Sequence, residues 1–403
     1  PAGGTQLGGC GVQVCRARLL SRGWHMAGSP GRPRVPSASG VPVDGPSVPC
    51  AMMSPVMTSA TPETQRVRAT GMGSWPGTSS REAIITVRDL LLESGDGPDG
   101  LGLPYLPETP ARGPGADIIG RGAGLLTDLP VELYPSGWRL AGRPGRDLER
   151  TTSLWREDLD ELTEAYDGYV GPLKVAVAGP WTLAASIELP GGERALADLG
   201  AAVEIAESLA DGITSLTGKL ASLVPGASIV LQLDEPSLPS VLEGSIPTAS
   251  GYGRLRAIDV QHVLRGLETV TGAYAGETLV HCCHPSAPIP VLRQSGADGL
   301  ALDLTEASAA RWESIAATLE AGVRLYAGLL PTDGGASVSA SVVTRAKAVV
   351  EQADRVGIDT DLLQRIVVSP ACGLAGLDRE AAITTQRAAL ELAGELSSLL
   401  ESR

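Results

Sequence analysis

The chain has 403 residues, of which 43% are hydrophobic and 19% are charged, a balance typical of folded globular proteins rather than disordered ones. Its net charge of −14 argues against sequence-independent binding to nucleic acid, which needs a basic face. No run of about 18 apolar residues occurs, so we expect no membrane span.

Residues 1–56 differ from the rest of the chain. They carry five arginines and a single aspartate, are rich in Gly, Pro and Ser, and show neither helical nor strand periodicity. One interpretation is a disordered arm without a core of its own. The favoured interpretation is upstream sequence that precedes a true start at Met57, or at Met52 or Met53. We therefore expect residues 57–403 to form the folded body and residues 1–56 to be dispensable.

Short apolar or β-branched runs alternate with longer amphipathic segments throughout the body. The predicted strands are residues 67–73, 102–107, 174–178, 228–233, 277–281, 299–304, 323–329 and 366–369. The predicted helices include residues 193–222, 258–273, 306–320, 340–356 and 379–401. Eight strands, most of them followed by a helix, predict an α/β fold with a single (β/α)8 TIM barrel. An open doubly wound sheet is the alternative, although no G-x-G-x-x-G loop follows the first strand.

Two features qualify this organisation. Residues 131–150 interrupt the alternation, which predicts a loop or small hairpin inserted after the second unit.

The body has three cysteines, Cys282, Cys283 and Cys372, which are too few for a disulfide framework. We therefore expect a cytoplasmic protein with reduced thiols that are available to a metal.

The strongest chemical signal is the segment 280–284 (VHCCH), which closes the fifth predicted strand. Alternate residues of a strand share a face, so His281 and Cys283 point the same way, and together they form half of a zinc site. Asp303 ends the sixth strand and Cys372 follows the eighth, so all four side chains can meet at one barrel mouth. The alternative is that the thiols are small buried packing residues.

Carboxylates and glycines stand at three other strand ends. Asp234 and Glu235, in the sequence LQLDEP, are either a strand end followed by a helix start or a site for a substrate ammonium. The segment 71–76 (GMGSWP) is either a tight turn or a place where backbone approaches a ligand closely. Glu108 follows the second strand in an equally loop-like stretch.

In this order the motifs resemble the catalytic barrel of the cobalamin-independent methionine synthase family, over roughly residues 67–376. That family transfers a methyl group from methyltetrahydrofolate to the zinc-bound thiolate of homocysteine. The resemblance implies that Gly73 and Ser74 hold the carboxylate of the amino acid, and that Glu108 and Asp234 bind its ammonium. The implied zinc ligands are His281, Cys283, Cys372 and Asp303, the last in place of a family glutamate.

Three departures from the family concern the methyl donor and the length. Leu329 stands where the family has its catalytic histidine, so no catalytic residue is assigned, and Ser186 stands where a tryptophan stacks on the folate. Full-length members carry two barrels, whereas this chain has room for one. The resemblance implies zinc-dependent methyl transfer to homocysteine, with either methyltetrahydrofolate or a methylated corrinoid protein as the donor.

Two other kinds of function stay open. One is a non-catalytic barrel that binds zinc or a thiol amino acid, decayed from an enzyme that lost its acid at Leu329. The other is a barrel hydrolase or lyase that uses Asp234 and Glu235 as a carboxylate pair, although strand alternation points adjacent residues to opposite faces. Substrate-dependent methyl transfer separates the first from the enzyme, and metal content separates both from the hydrolase.

Overall fold

The computed structural model describes residues 66–92, 100–332 and 342–403, which belong to one compact unit, Gln65–Arg403. The expectations for residues 1–56 and for a start at Met57 lie outside the described residues. In the three described ranges, no helix combines the length and the apolar character that crossing a lipid bilayer requires.

Seven parallel strands form the main sheet, and a separate two-stranded hairpin completes the strands of the described chain. The seven are β1 (Arg68–Ala69), β4 (Gly171–Ala178), β5 (Ala227–Asp234), β6 (Thr278–Cys282), β7 (Gly299–Asp303), β8 (Arg324–Leu330) and β9 (Val367–Pro370), and the hairpin is β2 (Val131–Tyr134) with β3 (Gly137–Leu140). Their order in the sheet is β1-β9-β8-β7-β6-β5-β4, so the first strand pairs with the last. This order excludes a doubly wound sheet and is typical of a curled, TIM-barrel-like one.

Residues 101–108 connect the two edge strands of the main sheet. They exchange backbone hydrogen bonds of 2.7 to 2.9 Å with Ala69 on β1 and with Lys174 on β4. Residues 102–107 were predicted as the second strand, and the segment makes isolated bridges on both sides instead of a continuous ladder. Pro104 and Pro107 lack the amide hydrogens that a regular strand donates, which accounts for the broken pairing.

The helices lie between the strands. They are α1 (Ser80–Leu92), α2 (Ile118–Ala123), α3 (Arg146–Ala165), α4 (Pro180–Ser186), α5 (Leu199–Leu223), α6 (Leu238–Glu243), α7 (Val260–Thr271), α8 (Ile289–Leu292), α9 (Ala309–Glu320), α10 (Val342–Val356), α11 (Thr360–Leu363) and α12 (Arg379–Glu401). Several begin after a residue whose side chain accepts a backbone amide hydrogen bond, as Asp117, Asp198, Asp259, Ser308 and Asp378 do. The predicted long helices coincide with α5, α7, α9, α10 and α12.

The segment after the second unit is part hairpin and part helix. Of the predicted insertion 131–150, the strands β2 and β3 form an antiparallel hairpin, but helix α3 already begins at Arg146. The hairpin is held to the barrel by Glu188, which is buried and accepts a hydrogen bond from Nη2 of Arg139 at 2.7 Å. The prediction therefore assigned the first turn of a long amphipathic helix to a loop.

The interior of the sheet is filled mainly by aliphatic side chains, with one tyrosine, and the sequence has no Phe. The cluster inside it comprises Met72, Leu103, Val230, Leu279, Ala301, Tyr326 and Val367. Lys174 and Gln232 are fully buried polar residues in the same sheet. Buried polar groups need hydrogen-bond partners, and theirs lead to the carboxyl end of the strands.

Candidate active site

His281 and Asp234 form the centre of the site at the carboxyl ends of β5 and β6. The parallel register places the two residues opposite each other, and Nδ1 of His281 donates to Oδ1 of Asp234 at 2.8 Å. With Nδ1 as the donor, the lone pair of a neutral imidazole is on Nε2. Nε2 is buried and has no hydrogen-bond partner among the described residues. An unpartnered, oriented imidazole nitrogen is what a metal ligand requires.

Two thiols lie next to this imidazole. Sγ of Cys283 and Sγ of Cys372 are 3.5 Å apart, and the ligand atoms of His281, Cys283 and Cys372 all lie within 4.8 Å of one another. The hydrogen bond between the two thiols lowers the pKa of Cys372 to about 6 and raises that of Cys283. One imidazole and two thiols, which lose their protons when they coordinate a metal, fit Zn²⁺ and leave a coordination position open.

The other two candidates near this group behave differently. Asp303 is outside this group, and its Oδ1 accepts hydrogen bonds from the amide and the hydroxyl of Thr305 at 2.9 and 2.6 Å. Cys282 is fully buried, and burial raises the pKa of its thiol to about 12. Cys282 therefore acts as a small packing residue, as strand alternation predicts.

Ser74 and Glu108 stand side by side on the neighbouring edge of the mouth. They form a parallel bridge, and the amide of Glu108 donates to the carbonyl oxygen of Gly73 at 3.1 Å. Gly73 has φ +123°, a backbone conformation that L side chains rarely adopt. On the other side, a Cβ at Gly373 would lie 2.0 Å from Oγ of Ser74. The turn after Cys372 can approach Ser74 only because residue 373 is glycine.

Glu108 and Asp234 share one electrostatic environment. Burial raises the pKa of Glu108 to about 7, Arg121 opposes this rise, and the negative charge of Asp234 adds to it. Nε of Arg121 donates to Oε1 of Glu108 at 3.2 Å, and both hydrogen bonds to the Asp234 side chain from described residues fall on Oδ1. Each carboxylate thus keeps one oxygen for a further donor, which suits an ammonium group.

A buried ionic network lies behind Glu108, and sequence reasoning missed it. Arg121 is 1% exposed, pairs with Asp158 as well as Glu108, and stacks over Trp155 at 3.8 Å from the ring centre. Asp158 in turn accepts from Nη2 of Arg112 at 2.7 Å. The guanidinium groups of Arg112 and Arg121 neutralise the carboxylates of Glu108 and Asp158. Arg121 also holds the Glu108 side chain in place from one side.

A second chain of polar contacts reaches Asp234 from the barrel interior. Nζ of Lys174 donates to Oε1 of Gln232 at 2.5 Å, and Nε2 of Gln232 donates to Oδ1 of Asp234 at 2.7 Å. Burial lowers the pKa of Lys174 to about 8. The available signal was a single lysine inside an otherwise apolar strand, in a chain with few lysines.

Glu235 has a structural position at the start of α4. Its carboxylate accepts from the amides of Trp181 and Thr182 at 2.9 and 2.8 Å and from the Thr182 hydroxyl at 2.7 Å. Burial raises its pKa to about 7, although these three donors act to lower it. Because both oxygens are engaged at a helix N-terminus, Glu235 does not form a catalytic pair with Asp234.

The two positions that depart from the family motifs carry no replacement for the missing groups. Leu329 lies on β8 and is 5% exposed, and its carbonyl oxygen accepts from Nη1 of Arg345 at 3.1 Å. Ser186 ends α4, and its carbonyl oxygen accepts from Nη1 of Arg194 at 2.7 Å. Neither side chain is a proton donor near neutral pH or an aromatic platform.

Comparison with known protein families identifies the family of the chain. The family described as "Cobalamin-independent synthase, Catalytic domain" matches residues 174–395, which is more than half of the sequence. The chain belongs to this family, and membership indicates a methyltransferase of the methionine synthase type. A sequence search of curated proteins gives no match.

Two solved structures are similar to the fold. A B12-independent methionine synthase from Shewanella sp. W3-18-1, in complex with selenomethionine, is 14% identical, with a TM-score of 0.58 over 84% of this chain and 100% of that chain. At this identity the likeness concerns the fold alone. The carboxyl transferase domain of Rhizobium etli pyruvate carboxylase with 3-bromopyruvate is 12% identical, with a TM-score of 0.31 over 83% of this chain and 48% of that one. That score is too low to support an argument.

Proposed function

We propose that the chain is a zinc-dependent S-methyltransferase that makes methionine by transferring a methyl group to homocysteine. The observation that carries the proposal is the convergence of His281, Cys283 and Cys372, whose ligand atoms lie within 4.8 Å of one another around an unpartnered imidazole nitrogen. Family membership supports the reaction class.

Nε2 of His281 and the two sulfurs would hold the zinc. When bound, zinc lowers the pKa of a coordinated thiol, so that homocysteine reacts as a thiolate at neutral pH. Asp234 keeps the His281 lone pair directed away from β5 by accepting the Nδ1 hydrogen. We propose Asp303 as the remaining ligand through Oδ2, since the Thr305 hydrogen bonds occupy Oδ1.

The amino-acid end of homocysteine is recognised by groups of the chain on the neighbouring edge. Glu108 and Asp234 each offer a free carboxylate oxygen to the ammonium, and their mutual repulsion is relieved when the cation binds. Ser74 and the backbone at Gly73 provide donors for the carboxylate. The Gly373 turn beside Ser74 supports this arrangement, because it brings the amino-acid site next to the two thiols.

The methyl donor is proposed to be something other than free methyltetrahydrofolate. A folate amine leaves poorly unless it is protonated, and a positioned general acid contributes about 10² to 10⁴ in rate. Leu329 is apolar and buried where the family supplies that acid, and Ser186 offers no ring for stacking. A methylated corrinoid protein suits this site better, because its cobalt leaves as a stable low-valent ion without a proton.

Two finer structural statements accompany the proposal. We propose that residues 101–108 stand in for the second strand, so that the fold is a (β/α)8 barrel. We also propose a reducing, cytoplasmic setting, since the ligand thiols must stay reduced and the described residues contain three free cysteines.

The test is methionine formation from homocysteine by zinc-loaded protein, with methyltetrahydrofolate and a methylated corrinoid protein as separate donors. We expect turnover with the corrinoid donor and turnover at least about 10²-fold slower with the folate. Asp234→Asn should lower the turnover with both donors. Cys282→Ala, which alters a thiol that is not a proposed zinc ligand, should lower neither.

Three outcomes would contradict the proposal. Folate-driven turnover of about 1–10³ s⁻¹ would overturn the donor argument. No methionine from either donor, with homocysteine still bound, would favour a non-catalytic binding barrel. No binding of homocysteine or zinc would remove the proposal altogether.

A further inference from the structure

Two adjoining cavities lie at the opposite end of the strands from the candidate active site. The larger has a volume of 440 Å³ and the smaller 160 Å³, and both are lined by Glu277, Arg324 and Arg365. Glu277 precedes β6 and Arg324 begins β8, so the cavities open at the amino ends of the strands. A volume of 440 Å³ is within the range of about 300–1,000 Å³ that small-molecule sites occupy.

Four arginines surround the smaller cavity: Arg66, Arg68, Arg324 and Arg365. They are adjacent because β1, β9 and β8 are neighbours in the sheet and each begins at or just after one of them. One carboxylate, Glu277, lines the same cavity. A cluster with an excess of three positive charges is notable in a chain whose net charge is −14.

The carboxylate that is present does not neutralise this cluster. Oε1 of Glu277 accepts from Nη1 of Arg324 at 2.6 Å and from the hydroxyl of Tyr326 at 2.8 Å. In the larger cavity, Oδ2 of Asp298 is held by the amide and hydroxyl of Thr278 at 2.8 and 3.1 Å. The side chains of the other three arginines have no ion pair with a described residue.

Arg68 provides the most direct support for an anion site. Its Nη2 donates to the carbonyl oxygen of Gly102 at 3.0 Å, whereas its Nε is buried without a partner in the described part of the chain. Burial lowers the pKa of Arg68 and the charge of Arg324 also lowers it, whereas Tyr169, Tyr326 and Glu277 act to raise it. A partly buried guanidinium that has no ion pair with a described residue and lies close to another cation favours the binding of an anion.

We propose that these cavities form a binding site for a small organic anion, with its acid groups among the four arginines and its carbon skeleton in the larger cavity. Arginine forks match the oxygen geometry of carboxylates and phosphates. Leu319, Val323 and Leu362 line the larger cavity and offer apolar contact to the rest of the molecule. The site is independent of methyl transfer, because it lies at the other end of the strands.

A purely structural role for the arginines makes a different prediction. If they only stabilised the amino ends of the strands, removing one would destabilise the protein and anions would have no specific effect. If they form an anion site, mutual repulsion makes the empty protein less stable than it would be with fewer of them. Removing an exposed arginine should then leave the empty protein equally or more stable and abolish its response to anions.

The experiment measures thermal unfolding and titration calorimetry of the full chain with inorganic phosphate, succinate and phenyl phosphate, against potassium chloride at equal ionic strength. Arg365→Gln and Arg66→Gln are the variants, since both side chains are exposed and have no ion pair within residues 66–92, 100–332 and 342–403, so their loss should not impair folding. Arg143→Gln, an exposed arginine away from both cavities, is the matched control.

We expect saturable stabilisation by phosphate or succinate, a lower Kd for phenyl phosphate than for phosphate, and Kd values raised about ten- to a hundredfold in both variants but unchanged in the control. A preference for phosphate or for succinate identifies the acid group. Equal stabilisation by chloride, an equal loss in Arg143→Gln, or destabilisation of the ligand-free variants without any anion effect would each overturn the proposal. A phenyl ring that adds no affinity would overturn the assignment of the larger cavity.

Discussion

The Sγ atoms of Cys283 and Cys372 lie 3.5 Å apart, although 89 positions separate them and two strands lie between β6 and β9. In a flat sheet, strands three steps apart would be about 14 Å from each other at roughly 4.8 Å per step. The contact therefore depends on the curl of the sheet, which turns the ends of β6 and β9 toward one mouth. The metal group is thus a property of the barrel-like closure and not of either segment alone.

The first prediction concerns zinc. Cys283→Ser and Cys372→Ser should each lose zinc, because a hydroxyl is a poor substitute for a thiolate and the remaining ligands hold the ion weakly. Zinc affinity should fall by more than the roughly 10- to 100-fold that follows from mutating residues that only hydrogen-bond to the ligands. The measurement is zinc per chain after loading and desalting.

Cys282→Ala is the matched control, since Cys282 is adjacent in sequence but buried in packing on the other face. It should retain full zinc. Full zinc in both serine variants would refute the site, and zinc loss confined to Cys282→Ala would show that the strand register is wrong by one residue.

The second prediction concerns the ionic network behind Glu108. Arg121→Met should lower the free energy of unfolding by roughly 3–5 kcal/mol, because it leaves Glu108 and part of the charge of Asp158 buried without compensation. The measurement is urea unfolding followed by circular dichroism. Arg81→Met is the control, because the Arg81 ion pairs with Glu161 and Glu164 are exposed and should contribute little. Similar shifts in both variants would mean that the network is not a major source of stability.

Much of the fold follows from local patterns in the sequence. Apolar runs at strand length and 3.6-residue periodicity identify seven strands and five long helices, since these depend only on which face is buried. Helices α1 and α3 were missed, although α3 buries Trp155, Leu159 and Leu162 at helical spacing between charged residues. Its N-terminal turn follows a Gly- and Pro-rich stretch, which favoured a loop.

The site was predictable only where strand ends bring ligands together. His281 and Asp234 are 47 residues apart, yet the register of parallel neighbours makes them partners. Arg121 and Lys174 could not be identified, because charged residues are normally exposed and the partners of these two lie 37 and 58 residues away. For Asp303, motif matching does not detect the local hydrogen bonds from Thr305, two residues on, which occupy Oδ1 and leave only Oδ2 for a metal.

The third prediction tests the contact between Gly373 and Ser74. Gly373→Ala places a Cβ 2.0 Å from Oγ of Ser74, so the hydroxyl must move away from its present position. If Ser74 donates to the carboxylate of the amino acid, the Kd for methionine should rise by roughly ten- to a hundredfold, the usual effect of a lost hydrogen bond to a charged group. The measurement is calorimetric titration of zinc-loaded protein.

Gly376→Ala is the control for this change, because a Cβ there meets no atom within 4 Å. Its methionine affinity and zinc content should equal those of the unmodified protein. Unchanged affinity in Gly373→Ala would separate Ser74 from amino-acid recognition.

The fourth prediction is that methionine binding strengthens as pH rises through about 7. The pKa of Glu108 is raised to about 7, chiefly by burial, so below that pH its carboxyl group is neutral and cannot pair with an ammonium. Above it the carboxylate is charged, while the ammonium of methionine keeps its proton up to more alkaline pH. Between pH 6 and pH 8 the ionised fraction of such a group rises about tenfold, and the association constant should rise by the same factor.

Methionine is the right probe, because it has no thiol that titrates in this range. Glu108→Gln is isosteric and always neutral, so it should bind methionine weakly with little pH dependence, while any contribution from the zinc ligands stays common to both proteins. Parallel pH profiles in the two proteins would assign the ammonium to Asp234 alone.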